Sequence, residues 1–205
     1  MQTRKRIGLL AALILPLFLA ACGESVWAPE VEVQQRIFRP EGPSKLSLIT
    51  VQSTRSGSGA HTALMVTGSQ RVLFDPAGSF KHPRAPERND LLYGITDDVY
   101  KVYIDFHARE TFDVVVQEVE VSPEVAEMAL NLVQTHGAVG NAQCALSVSG
   151  ILASLPGFET VPVGWFPNRA SRAFGELPGA TFKRITDDDA DQNHGVLIRA
   201  AEDAI

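Results

Sequence analysis

Basic residues are scarce in this chain, with 18 lysines and arginines against 24 aspartates and glutamates. Three of the 18 are Arg4, Lys5 and Arg6, whereas every acidic residue follows residue 21, so residues 22–205 carry a formal charge of −9. Nucleic acids and anionic lipid head groups attract basic surfaces. This charge balance argues against nucleic acid as a partner and against a basic face that docks on a membrane.

Long apolar runs are confined to the N-terminus. After the three basic residues, residues 7–18 are apolar apart from Gly8 and Pro16, and small residues lead to Cys22. This arrangement is typical of a secretory signal and is too short for a membrane span. The ending Leu-Ala-Ala-Cys resembles the lipobox of bacterial lipoproteins, which implies that Cys22 is acylated and begins the mature chain. Membrane attachment is then expected through this N-terminal lipid.

Cysteine is also scarce, since Cys22 and Cys144 are the only two. If Cys22 carries lipid, Cys144 has no intramolecular disulfide partner in an oxidising compartment. A leftover thiol in an exported protein calls for an explanation. Gly23, rather than an aspartate, follows Cys22, which fits sorting to the periplasmic face of the outer membrane in a two-membraned bacterium.

The chain has no internal repeat and no low-complexity tract, and its remaining patterns predict one mixed domain. Alternating apolar residues predict strands at residues 45–52, 60–67, 71–75 and 111–121, with late strands at 181–185 and 196–199. A strand is also possible at residues 31–38. Cap and periodicity signals predict helices that begin near residues 97, 123, 144 and 167. Residues 76–89, rich in proline and basic side chains, are expected to form a mobile surface loop.

This order of elements predicts an α+β fold, with a small antiparallel sheet packed against helices. We expect a signal peptide at residues 1–21, a tether at 22–44 and a single α+β domain at 45–205. The 184 residues that remain after the signal suit one domain of ordinary size.

Cys144 is a candidate nucleophile because it opens a predicted helix. Unpaired N–H groups and the positive end of the helix dipole lower a thiol pKa there, and the same N–H groups can face an oxyanion. A small buried residue with no chemical role is the alternative explanation, and most single cysteines are of that kind.

A thiolate nucleophile needs an imidazole base, and five histidines are available. His61 begins an apolar strand after a Gly-Ser turn, so it can stand at a sheet edge facing a cleft. His107, near a helix end, is its rival, whereas His82 is expected in solvent and His194 lies in the acidic tail. Asp75 ends the strand paired with that of His61 and is a candidate for orienting the imidazole, or else a cap of the turn that follows.

Three segments, residues 58–66, 71–75 and 141–146, resemble the circularly permuted papain-like fold. Its members include NlpC-type cell-wall hydrolases and relatives of lecithin–retinol acyltransferase. The resemblance implies that Cys144 is the nucleophile, His61 the base and Asp75 the orienting group. It calls for no cofactor and no metal ion.

Two hypotheses about function follow. The first is a lipid-anchored envelope thiol hydrolase or acyltransferase that acts on an amide or ester, with peptidoglycan peptides as the substrate class suggested by location. The second is a non-catalytic envelope lipoprotein that binds a partner or the cell wall, in which Cys144 is buried and inert.

Overall fold

The computed structural model describes residues 25–191, so Cys22, His194 and the strand predicted at 196–199 lie outside it. The described residues form an α+β fold, as predicted, with seven strands and five helices. The strands are β1 (Lys45–Ser53), β2 (Gly59–Thr67), β3 (Arg71–Phe74), β4 (Glu87–Arg88), β5 (Leu91–Leu92), β6 (Phe112–Glu120) and β7 (Thr181–Ile185). The helices are α1 (Glu30–Arg36), α2 (Asp97–His107), α3 (Pro123–Thr135), α4 (Cys144–Ala153) and α5 (Pro167–Gly175). Within this part of the chain, none of the helices has the length and apolar character needed to cross a bilayer.

All seven strands belong to one antiparallel sheet in the order β4-β5-β3-β2-β1-β6-β7. The central strand β1 pairs along its length with both β2 and β6, and its residues 46–51 are buried on both faces. Because side chains alternate across a strand, such a strand must be covered on both sides.

Two apolar cores cover the two faces of the sheet. On one face α3, α4 and α5 pack on residues such as Leu48, Leu64 and Val66. On the other face α2 packs on Ile49 and Met65. His61 has the same strand parity as Met65, so its side chain belongs to the face that α2 covers.

The helix starts match their local signals. The Thr96 hydroxyl accepts a hydrogen bond from the N–H of Val99 at 3.3 Å, and the Ser122 hydroxyl accepts one from Val125 at 3.4 Å. Each cap satisfies one of the N–H groups that a helix leaves unpaired at its first turn. The predictions of helices near residues 97, 123, 144 and 167 are confirmed.

Two local predictions are wrong. Residues 30–36 form helix α1 rather than a strand, and buried Val33 attaches this helix to the core. Residues 76–89 are not a simple surface loop, because Phe80 and Ala85 are buried in the second core and β4 lies within the segment. His82, expected in solvent, is also buried.

One end of the sheet gathers the segments that matter for function. This end, called the site end below, holds the turn between β1 and β2, the residues that follow β3, and the turn at residues 89–90 between β4 and β5. The antiparallel register also brings the start of β6 and the end of β7 to it.

Candidate active site

The site forms where β2 extends past the end of β3. The paired register of these strands stops at Leu64 opposite Phe74, and His61 lies three residues before that point. Immediately after β3 the chain turns at Asp75, whose N–H donates to the carbonyl of Asp90 at 2.8 Å. Helix α4, which begins at Cys144, packs on β2.

His61 and Asp75 are in direct contact. His61 Nε2 lies 2.7 Å from Asp75 Oδ1, and the Tyr103 hydroxyl donates to the same oxygen at 2.8 Å. The carboxylate is buried, with 4% of the residue exposed. A carboxylate that holds one imidazole nitrogen fixes the tautomer of the ring and stabilises its protonated form.

Gly78 allows the chain to wrap closely around this carboxylate. A Cβ at residue 78 would overlap Asp75 Oδ2, and the Gly78 N–H donates to the Asp75 carbonyl at 2.9 Å. The turn that follows β3 therefore contacts both the backbone carbonyl and the side-chain carboxylate of Asp75.

Cys144 is the third member of the group. Cys144 is buried, and the imidazole of His61 and the backbone N–H groups of Thr62 and Ala145 are the hydrogen-bonding groups that act on its sulfur. Because Asp75 holds Nε2 of His61, Nδ1 is the nitrogen left for the thiol.

Electrostatics favour the charged form of the pair. Burial alone would raise the pKa of the Cys144 thiol, but the hydrogen bond and charge of His61, with the two N–H groups, outweigh burial and lower it. Burial likewise opposes protonation of His61, yet the charge and hydrogen bond of Asp75, together with Cys144, raise the pKa of His61 to about 10. The pKa of Asp75 is lowered in spite of burial, mainly by the charge of His61 and its hydrogen bond. Each of the three shifts runs in the direction that favours a thiolate beside an imidazolium.

His107, the rival base, stacks on His61 instead of replacing it. The two rings are nearly parallel, at 7°, with centroids 5.8 Å apart. The Nδ1 of His107 lies 2.9 Å from the Tyr103 carbonyl and must donate to it, since a carbonyl oxygen only accepts. Burial is the main reason that the pKa of His107 falls to about 4, and the charges of His61 and Arg109 lower it further. His107 is therefore neutral near pH 7 and adds no second positive charge beside His61.

Two groups of side chains within residues 25–191 have the spacing to hold a metal ion. Ligand atoms of His61, Asp75 and His107 all lie within 4.8 Å of one another, and those of Asp105, Asp187 and Asp189 form a second such group. In the first group, the hydrogen bond between His61 and Asp75 already explains why these two side chains lie close together.

A cavity of about 310 Å³ adjoins His61 on the face covered by α2. Most of its lining is small or apolar, and the polar groups beside it belong to His107, Arg109, Ser79 and Asp191. A larger cavity, of about 660 Å³, lies between α2 and β7 and contains none of the three candidate residues.

The structure brings together Cys144, His61 and Asp75, the three residues proposed from the sequence. Sequence reasoning missed the contributions of Tyr103 and Gly78. Tyr103 stands one helical turn before His107, and Gly78 closes the Asp-Pro-Ala-Gly turn, so both had a local signal. Nothing local indicates that the Thr62 N–H faces the thiol.

Comparison with family models, with curated proteins and with solved structures gives no match for this chain. The functional argument therefore depends on the residues and their geometry.

Proposed function

We propose that this chain is a lipid-anchored cysteine hydrolase or acyltransferase of the cell envelope, with a domain of the permuted papain-like type. It acts on an amide or ester bond. The observation that carries the proposal is the hydrogen-bonded series Cys144–His61–Asp75, with the thiol at the first position of a helix. The position of His61 in the chain before Cys144 agrees with the permuted order.

In this proposal the Cys144 thiolate attacks the carbonyl carbon of the substrate and forms a carbon–sulfur bond. The carbonyl electron pair moves to oxygen. As that pair returns to re-form the carbonyl, the carbon–nitrogen or carbon–oxygen bond breaks and the imidazolium of His61 gives its proton to the leaving amine or alcohol. The resulting thioester is attacked by water, or by another acceptor, as His61 takes the proton from the incoming nucleophile. The acyl group leaves as an acid or transferred product and the thiolate is restored.

The start of α4 supplies the groups for the oxyanion. The first N–H groups of a helix have no partner within the helix, and the helix dipole favours negative charge there. The Ala145 N–H already contributes to the thiolate. The N–H of Cys144 itself is the donor we assign to the substrate oxygen.

Peptidoglycan peptides are the proposed substrate class. The support is the predicted envelope location together with the resemblance to NlpC-type hydrolases. The cavity beside His61, with its small and apolar lining, offers space for a substrate side chain next to the base. A soluble ester substrate serves as a first assay because it requires no knowledge of the natural acceptor.

The decisive experiment joins thiol chemistry with turnover. Iodoacetamide should alkylate Cys144 of the purified wild-type protein near neutral pH. In a separate reaction, the soluble ester substrate should leave an acyl adduct on Cys144 that mass spectrometry detects. Cys144→Ala and His61→Ala should each abolish turnover, and the double variant should be little worse than either, because members of a catalytic unit act together. Protection of the thiol until the protein unfolds would instead favour the non-catalytic lipoprotein.

The anchor is tested separately with Cys22→Ser. This variant should lose its acyl chains and be recovered as a soluble protein or as uncleaved precursor, since stable attachment needs more than one chain. Recovery of cleaved Cys22→Ser protein in the membrane fraction at wild-type levels would contradict lipidation at this residue.

A further inference from the structure

Exposed apolar side chains are concentrated just before α5. Val163, Trp165 and Phe166 are 53%, 55% and 71% exposed, although large apolar residues are normally withdrawn from water. Near the start of the described chain, Trp27 and Val31 are also exposed. A cluster of exposed apolar side chains such as Val163, Trp165 and Phe166 commonly marks an interaction site.

The backbone that presents these side chains is held firmly. The buried Ser149 hydroxyl, on α4, accepts a hydrogen bond from the Gly164 N–H at 3.0 Å. After the aromatic pair, Asn168 donates to the Gly57 carbonyl at 2.7 Å and accepts from the Gln52 side chain at 2.8 Å. Trp165 and Phe166 are therefore held in water between two attachment points.

The attachment of Asn168 to Gly57 places the aromatic pair at the site end of the sheet, because Gly57 lies in the turn between β1 and β2. Ser149, the other attachment point, stands on α4 five residues after Cys144. In addition, a Cβ at Gly59 would approach the Pro167 Cβ to 2.7 Å, so the start of α5 lies directly against the start of β2.

The N-terminal attachment of the chain lies at the same end. The Ser25 hydroxyl donates to the Asn89 side chain at 2.8 Å, and the N–H of Asn89 donates to the Val26 carbonyl at 2.8 Å. Asn89 belongs to the turn at residues 89–90, and the carbonyl of the next residue, Asp90, accepts the N–H of Asp75. Cys22 precedes Ser25 by three residues, a distance of roughly 10 Å for an extended chain.

The charges near the aromatic pair are of both signs. Helix α5 contains Arg169 and Arg172 and no acidic residue. The site end also carries the aspartates at 187–189 and 191, which follow β7. Tryptophan and phenylalanine are side chains that enter the interfacial region of a bilayer.

We propose that Trp165 and Phe166 insert into the interfacial region of the membrane that holds the lipid on Cys22, so that the site end faces this membrane. The orientation rests on the lipidation proposed above. Because aromatic insertion rather than net charge drives the contact, added salt should weaken it little.

The chain allows a direct test, since Trp27 and Trp165 are its only tryptophans. The Trp27→Phe variant of the full lipidated protein, reconstituted in phosphatidylcholine vesicles, reports on Trp165 alone. We expect the emission of Trp165 to be blue-shifted in ordinary vesicles. We expect the same emission to be quenched when brominated phosphatidylcholine replaces the ordinary lipid. The matched control adds Phe182→Trp to a chain in which both natural tryptophans are phenylalanine. Residue 182 is 62% exposed on edge strand β7, away from the site end, and its emission should remain unquenched.

Equal quenching at the two positions, or none at Trp165, would overturn the proposal. Two further results would replace the membrane with another occupant. Emission changes that track self-association in ultracentrifugation without vesicles would assign the surface to a second copy. A raised KM of Trp165→Ala for a soluble ester, with no quenching by brominated lipid, would assign it to substrate.

Mass spectrometry of the purified chain separates this test from the proposed function. If Cys22 carries no acyl group, the protein without its lipid is added to the same vesicles. Quenching of Trp165 then still decides whether this side chain contacts lipid. Quenching does not depend on turnover, so an inactive protein with a quenched Trp165 would leave this inference standing and remove the enzymatic proposal alone.

Discussion

Replacing Asp75 by asparagine tests the electrostatics of the site while keeping its shape. The asparagine Oδ1 can still accept hydrogen bonds from His61 and Tyr103, but the side chain has no negative charge. In the wild type, the charge and hydrogen bond of Asp75 oppose burial and hold the pKa of His61 at about 10, against the ordinary histidine value of 6.5. Because each pKa unit corresponds to about 1.4 kcal/mol, this charge contributes a few kcal/mol to the imidazolium form.

Without that contribution, Cys144 and His61 should revert to a neutral thiol and a neutral imidazole near pH 7. An ordinary thiol with a pKa of about 8.5 is roughly 1% ionised near pH 6.5. The rate of alkylation of Cys144 in Asp75→Asn should therefore fall by roughly 10- to 100-fold at that pH. The lower limit allows for the weaker intrinsic nucleophilicity of thiolates with a low pKa.

The assay is the rate of iodoacetamide modification followed from about pH 5 to about pH 10, a range that spans both thiol states. Asp97→Asn is the matched control, because that carboxylate bonds Arg71 at 2.6 Å, away from the site end. Its profile should follow the wild type. If Asp75→Asn kept the wild-type rate near pH 6.5, the reasoning that links Asp75 to the thiolate would be refuted.

Three other predictions concern the same group of residues. His61→Ala should lower the free energy of unfolding by about 3–5 kcal/mol in urea denaturation, since it leaves the Asp75 charge buried without its partner. Cys144→Ala should change the free energy of unfolding little. An equal loss of stability in the two variants would contradict this prediction. The raised pKa of His61 means that its contribution to stability is complete below about pH 6.5 and is lost as the pH rises through about 10. The wild-type free energy of unfolding should decline across that interval more steeply than in His61→Ala, and parallel pH curves would disprove the link. Gly78→Ala should displace the Asp75 carboxylate, with a cost of about 1–3 kcal/mol and a loss of turnover; a crystal structure of an active Gly78→Ala protein with Asp75 in place would contradict it.

Local signals were enough to predict most of the elements. The hairpin around the turn at residues 68–70 follows from two apolar runs and a short polar turn, and the helix caps at Thr96 and Ser122 follow from single side chains. The nearness of Cys144 and His61 does not follow from such signals. It requires α4 to pack on β2, and only the resemblance to a known fold suggested this before the structure.

The wrong predictions share one physical cause. Val31 and Val33 favour a strand locally, but burial of Val33 on the core selects a helix. Likewise, proline and basic residues at 76–89 suggest a mobile loop, whereas Phe80 inserts among the aromatic rings of Tyr103 and Phe106. In both segments, tertiary packing overrides local composition.

The position of the thiol between α4 and β2 makes its reactivity conditional on folding. In the unfolded chain Cys144 has no imidazole partner and no aligned N–H groups, so its thiol is ordinary and mostly protonated near pH 7. The strand that carries His61 must pair with β1, which must also pair with β6, and such non-local contacts form late and cooperatively. Cys144 lies further along the chain than all three strands. A growing or unfolded chain therefore lacks the activated thiol, and the appearance of its enhanced reactivity can report directly on completion of the native sheet.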